Sequence, residues 1–294
     1  MIWAIDATIL NPTTKNRGFF YYFFGGMDMQ FDLLNKVRTD NPMVLNIANS
    51  VTQSDVANGI SAIGASPLMT NYDEELKTLA QFANGICINI GTLDERQNKL
   101  SLELLRLANQ FNKPVVLDPV GIGAVPERLS FVEQLLATGK PTVICGNAGE
   151  VASLVGVSWS AKGIDSIDEG QSQSVDEIAQ ACASKFSCVT VVTGETDTIA
   201  TADAVAHVFN GHKMFTTLVG TGDMLSSLIA VFAGVSSDDV FEAAKMACLV
   251  FSLAGESVMN DLPKIGPAEF STRLLDKLYS ITTADIEQGG KFDE

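Results

Sequence analysis

Val115-Val116-Leu117-Asp118-Pro119-Val120-Gly121 is a short apolar run, two of its three residues β-branched, that breaks into an acid, a proline and a glycine. Immediately upstream, Leu100, Leu104, Leu107, Ala108 and Phe111 recur at the spacing of one face of a helix. A continuous apolar strand fed by an amphipathic helix is the unit of a parallel sheet covered on both faces. The same text repeats outward in both directions. Met43–Ile47, Ile86–Ile90, Thr142–Cys145 and Val189–Thr193 are further candidate strands separated by helical stretches. Thr196–Thr201 and Val205–Phe209, joined by Ala-Asp-Ala, read as a hairpin at the sheet edge, and after Gly220 the chain reads as helix almost to its end. The fold class is α/β with a mostly parallel central sheet.

In such a sheet, ligands bind beyond the carboxyl ends of the strands. There the apolar runs deliver Asn46 and Asn49, Gly91-Thr92, Asp118-Pro119-Val120-Gly121, Gly146-Asn147-Ala148-Gly149-Glu150 and Thr193-Gly194-Glu195. Each residue alone is also what a helix cap or a turn requires. Five strands delivering small and polar residues to one edge point to a site. The strongest local pattern is Val219-Gly220-Thr221-Gly222-Asp223-Met224-Leu225, which opens a long apolar helix. Its glycines admit a ligand close to the backbone. The helix start then aims unpaired N–H groups and a positive dipole end at that ligand, a hole for a transferring phosphoryl group. Gly220, Thr221 and Gly222 supply the hole, and Asp223 lies beside it in the first turn. A GxxxxGK[ST] loop does not occur.

The chain has 294 residues, 46% apolar and 18% charged, a globular and not a disordered composition. Its net charge of −16 argues against a nucleic-acid partner and against an anionic membrane surface. The five cysteines show no CxxC spacing and only His207 and His212 are available beside them, so no zinc site is expected. Cysteines in apolar runs suit a reducing compartment, the cytoplasm. With no Pro- or Ser-rich linker and no repeat, residues 29–294 read as one domain. Residues 1–28, with Phe19-Phe20-Tyr21-Tyr22-Phe23-Phe24, read as an N-terminal extension or as sequence upstream of a start at Met27 or Met29. The run is neither a signal peptide nor a membrane span. Deleting residues 1–26 is expected to leave turnover within about a factor of two. Loss of solubility or of oligomer size in the truncated protein would show that the aromatic run packs somewhere structural.

Val219-Gly220-Thr221-Gly222-Asp223 resembles the GxGD signature of the ribokinase-like fold. Further stretches resemble the hydroxyethylthiazole kinase family of thiamine salvage within it. They include Asn46-Ile47-Ala48-Asn49, Gly64-Ala65-Ser66-Pro67-Leu68-Met69, Asn89-Ile90-Gly91-Thr92-Leu93, Leu117-Asp118-Pro119-Val120-Gly121, Gly146-Asn147-Ala148-Gly149-Glu150 and Lys162-Gly163-Ile164-Asp165-Ser166. The likeness is collinear from about residue 30 to 280. It implies Mg²⁺-dependent transfer of a phosphoryl group from ATP to the primary alcohol of 4-methyl-5-(2-hydroxyethyl)thiazole, in a homotrimer with sites between subunits. It puts Asn49, Met69 and Gly220 on the thiazole, Thr193, Asn147 and Cys145 on ATP, Asp118 and Glu150 on magnesium, and Asp223 at the catalytic position. The family usually carries His, Tyr, Arg and Cys where this chain has Leu45, Ser50, Cys145 and Asp223. The Cys145 change removes a cation from the phosphates, and the Asp223 change supplies the base of the wider fold. Three other readings share these features: a hydroxymethylpyrimidine or pyridoxal kinase, a nucleotide-hydrate dehydratase of the same fold, and a non-catalytic nucleotide binder. Turnover with an alcohol panel separates all of them.

Overall fold

β-Branched apolar runs became strands wherever a helix follows to cover them. In the computed structural model of the chain, residues 30–159 and 174–293 are described. Their strands are β1 (Met43–Ile47), β2 (Ser66–Met69), β3 (Gly85–Asn89), β4 (Val115–Asp118), β5 (Val143–Asn147), β6 (Val189–Thr193), β7 (Asp197–Ala200), β8 (Val205–Val208) and β9 (Phe292–Asp293). They form one sheet in the order β2-β1-β3-β4-β5-β6-β7-β8-β9. Pairing is parallel from β2 to β6 and antiparallel from β6 to β9.

The first helices are α1 (Leu33–Asp40), α2 (Gln53–Ile63), α3 (Leu76–Phe82), α4 (Glu95–Gln110), α5 (Pro126–Thr138) and α6 (Ala148–Val155). They are followed by α7 (Val175–Phe186), α8 (Thr221–Val235), α9 (Val240–Asp261), α10 (Pro267–Ser280) and α11 (Thr283–Gly289). The two-residue period of the strands sorts their side chains into two cores. Val44, Cys87, Val116, Cys145 and Val191 pack under α1, α2 and α8 to α11. Leu45, Ile86, Ile88, Leu117, Ile144 and Val192 pack under α3 to α7.

Two differences from the sequence reading concern strands. Ser66–Met69 forms β2, although Pro67 interrupts its apolar pattern; a proline is tolerated there because β2 is the sheet edge. The hairpin forms as expected, with Asp197 opposite Val208 and Ala200 opposite Val205, but β8 is not the edge, because β9 pairs with it. The aromatic run and the Lys162–Ser166 stretch lie outside the described residues.

α8 lies directly against the strand backbone. A Cβ built on Gly85 would come within 2.1 Å of the Ala230 carbonyl oxygen, so only glycine lets β3 and α8 approach so closely. That contact points the N-terminus of α8 at the carboxyl ends of β3 and β4.

One buried acid in the hairpin is a stability liability. Asp197 accepts hydrogen bonds from the Gly194 amide (3.1 Å) and the Ser252 hydroxyl (3.2 Å). Burial nonetheless pushes its pKa from an ordinary 3.8 to about 6. The native state therefore holds a proton that the unfolded state has released between those values. Stability is recovered as pH falls through 6 towards 3.8 and is lost above 6. Asp197→Asn can keep both bonds, because the Ser252 hydroxyl can also accept. It is expected to raise stability at pH 8 by up to about 3 kcal/mol and to have no effect near pH 3.5. Urea midpoints at the two pH values test this, and a midpoint at pH 8 that stays put or falls would refute it.

Candidate active site

The face of the sheet under α8 turns polar at its carboxyl end. Asn46, Asn89 and Asp118 continue the alternation that places Val44, Cys87 and Val116 in the core, one step further along β1, β3 and β4. Asn89 stands opposite Asp118 in the parallel register. From above, the first two turns of α8 bring Asp223, Ser226 and Ser227 onto the same layer. Ser227 donates to Asn46 Oδ1 at 3.0 Å, and Ser226 donates to Asp118 Oδ2 at 2.8 Å.

Asp223 is held by three side chains, two from the connection between β1 and α2 and one from the end of β3. Its Oδ2 accepts from Asn49 Nδ2 (3.2 Å) and from the Thr52 hydroxyl (2.5 Å), and its Oδ1 accepts from Asn89 Nδ2 (3.0 Å). Thr52 is the N-cap of α2 but its side chain makes no capping bond; its hydroxyl points to Asp223 instead. A carboxylate has about four acceptor sites. Three are used here, and the remaining one lies on Oδ1.

Asp118 is nearly sealed, at 5% exposure. Its Oδ2 accepts from both Asn89 and Ser226, while Oδ1 accepts from no described residue. Burial, then the neighbouring Asp223 and Glu150 carboxylates, push its pKa well above the usual carboxylate range. Glu150 is also a capping residue, as its spacing from Asn147 allowed. Its Oε2 accepts from the Asn147 amide at 2.9 Å and its Oε1 from the Gly121 amide at 2.7 Å, which ties α6 to the loop after β4.

This donor set fits Mg²⁺. Asp118 has a free oxygen, and its neighbours are carboxylates with no cation bonded to them among the described residues. The described residues contain no cluster of three or more His, Cys, Asp or Glu side chains shaped for a metal. Two carboxylates suffice for an ion that keeps several of its waters.

The N-cap of α8 is Gly220, whose φ of +91° lies in the left-handed region. A side chain there would be strained and would also strike Thr52, with a Cβ 2.5 Å from Cγ2. No side chain caps the helix, and the amides of Thr221, Gly222 and Asp223 have no backbone acceptor among the described residues. A Cβ on Gly222 would meet nothing within 4 Å. The helix start is therefore open and rich in donors.

The other expected residues divide to either side. Met69 pairs with Asn46 across β1 and β2, beside Asn49. Thr193 stands opposite Asn147 at the ends of β6 and β5. The two sets thus stand at the ends of β1–β2 and of β5–β6, on either side of β3 and β4. Cys145 requires a correction: its side chain is 1% exposed and belongs to the core under α8 and α9. Strand alternation turns it inward beneath Asp118 and Ser226, and burial raises its thiol pKa well above the ordinary value. It offers no surface to a nucleotide. Arg128 is also committed, donating to the Val120 and Gly91 carbonyls at 2.8 and 2.9 Å and so clamping the loops after β4 and β3 together.

The sequence reading missed Asn89, Thr52 and Ser226 as site residues. Asn89 was hidden by placing the end of its strand at Ile90, one residue too late. Ser226 was legible in principle, as the residue one helical turn beyond Asp223. Thr52 carried no signal, because an N-cap threonine explains itself.

The sheet, with an open helix start above the ends of its central strands, defines a ribokinase-like fold. A ribokinase-like superfamily protein from Enterococcus faecalis shares it at 15% identity and a TM-score of 0.59, over 86% of this chain and 95% of that one. A model of the hydroxyethylthiazole kinase family matches residues 34–284, and the chain belongs to that family. A hydroxyethylthiazole kinase of Lactiplantibacillus plantarum is 48% identical over 90% of this chain and 100% of its own length. The structure of hydroxyethylthiazole kinase from Pyrococcus horikoshii superposes with a TM-score of 0.80 at 32% identity, over 90% of this chain and 97% of that one.

Proposed function

We propose that the chain phosphorylates the primary hydroxyl of 4-methyl-5-(2-hydroxyethyl)thiazole with ATP, with Asp223 as the base. The observation that carries this reading is the Asp223 carboxylate, held by three donors beside an open helix N-terminus with one acceptor site left on Oδ1. The substrate hydroxyl donates to that site and is aimed at the phosphorus. As the new O–P bond forms, its proton passes to Asp223, since a carboxylate is too weak a base to ionise an alcohol beforehand. The amides at the start of α8 receive the charge of the phosphoryl oxygens. Asp118 and Glu150 would hold Mg²⁺, and that ion, when bound, supplies charge neutralisation at the phosphates. Asn147 and Thr193 lie on the nucleotide side, with Met69 and Asn49 on the thiazole side. In this role Asn49 acts through Asp223 as well as facing the substrate.

A homotrimer is supported by apolar residues at the rim of the site. Val51 and Val219, adjacent to the Asn49 and Gly220 positions, are 70% and 76% exposed, surface that a neighbouring subunit would cover. Light scattering of the purified protein tests this. A cytoplasmic location is supported by the five free cysteines. Among the described residues no helix is long and apolar enough to cross a membrane.

The deciding experiment measures ADP release with ATP, Mg²⁺ and a panel of small alcohols that includes the thiazole, hydroxymethylpyrimidine and pyridoxal. Turnover confined to the thiazole is expected. Turnover of another alcohol alone, or nucleotide binding without ADP release, would overturn the reading.

A further inference from the structure

Asn89 joins the two acids of the site through a single amino group. Its Nδ2 donates to Asp118 Oδ2 at 2.8 Å and to Asp223 Oδ1 at 3.0 Å. Its own Oδ1 accepts from the Gly91 amide at 2.8 Å. That third bond fixes which end of the carboxamide is which, because only the oxygen can accept from a backbone N–H. Both amino protons are thus spent on carboxylates, and the residue is 4% exposed, so it has no freedom to turn away. Asn89 is also pinned between strands, opposite Asp118 in the register and packed beneath α8. Of the donors to Asp223, it alone binds Oδ1, the oxygen that retains the free acceptor site.

We infer that Asn89 is a positioning residue for phosphoryl transfer: it sets the direction of the free acceptor site on Asp223 and thereby aims the substrate hydroxyl. The inference rests on the assignment of Asp223 as the base. The two bonds to Asp223 Oδ2 leave the carboxylate free to swing about that oxygen, and the Asn89 bond to Oδ1 stops the swing. The other amino proton, on Asp118, anchors Asn89 to the rigid end of β4. A misdirected hydroxyl lowers the rate of transfer without altering Asn147 and Thr193, the residues proposed for the nucleotide at the ends of β5 and β6.

The test combines Asn89 and Asp223 substitutions in the full-length protein. Asn89→Asp keeps the shape and removes both amino donors; Asn89→Ser keeps one shorter donor. With Asp223 intact, kcat is expected to fall roughly 10- to 100-fold, with Ser retaining more than Asp and the KM for ATP changing less than about threefold. In the Asp223→Asn background the same substitutions are expected to change kcat by less than about threefold, because the group through which Asn89 acts is gone. Calorimetric affinity for ADP should be unchanged by Asn89→Ser in either background. Equal losses of kcat in both backgrounds would mark general structural damage and overturn the inference while leaving the base assignment standing; so would full kcat in both Asn89 variants. If Asp223→Asn alone keeps kcat within about tenfold, the base assignment fails and this inference falls with it.

Discussion

Replacing Asp223 by Asn is expected to lower kcat by roughly 10²–10⁴, equivalent to about 3–5 kcal/mol of barrier, with ligand affinities changing much less. The reaction must remove one proton from the alcohol, and Asp223 is the acid at the open start of α8 with an acceptor site to spare. Asparagine keeps the size but presents an amino group where three donors converge, so one of the bonds from Asn49, Thr52 or Asn89 must be lost as well. The loss of the negative charge works in the opposite direction, since it relieves the buried Asp118 carboxylate. Folding is therefore expected to survive. Asp223→Cys, which restores the residue implied by the family resemblance, should retain more activity than Asn, because a thiolate can accept the proton. Its rate should rise with pH as the thiol ionises near its reference value of about 8.5. Single-turnover kinetics on folded, nucleotide-binding variants decide the matter. A fall of less than tenfold for the Asn variant would leave the helix start and the metal to account for catalysis alone.

Much of this architecture was readable because it repeats. The runs at Met43–Ile47, Val115–Asp118 and Val189–Thr193 are strands with the expected ends, and Leu100, Leu104, Leu107 and Ala108 form a buried helix face as read, with Phe111 half-buried just past the helix end. Continuous apolar runs have no alternative but burial on both faces. What could not be read depends on contacts between elements distant in sequence. β9 is two residues long and exists because Phe292 and Asp293 find β8. The direction of Cys145 follows from strand parity, which the family position alone concealed. Asp118 and Glu150 illustrate the difference between a role and a partner. The family resemblance implies a metal on both, but whether either is a cap depends on which amides are near. Glu150 proves to be a cap, with two backbone amides on its oxygens and acceptor capacity to spare, while Asp118 caps nothing.

The open helix start makes a second prediction in which function and stability separate. Gly222→Val is expected to lower kcat/KM for ATP by roughly 10²–10³, or about 2.7–4 kcal/mol, the scale on which loss of an oxyanion-hole donor is felt. Its Cβ would enter space with no protein atom within 4 Å, at a helix start where the amides of Thr221, Gly222 and Asp223 have no backbone acceptor among the described residues. The branched side chain would crowd the place proposed for the phosphoryl group, with open space around its Cβ. Because the position is exposed and already helical, stability should stay within about 0.5 kcal/mol of the parent. Gly220→Ala is the contrasting variant. At a φ of +91°, with its Cβ 2.5 Å from Thr52, it must strain the backbone and push Thr52 off Asp223. It should lose about 1–3 kcal/mol of stability together with activity. Thermal melts and ATP kinetics on the two variants separate the cases. Full activity in Gly222→Val would mean that the phosphoryl group passes elsewhere than over the start of α8, and the site would have to be rebuilt around the ends of β4 and β5.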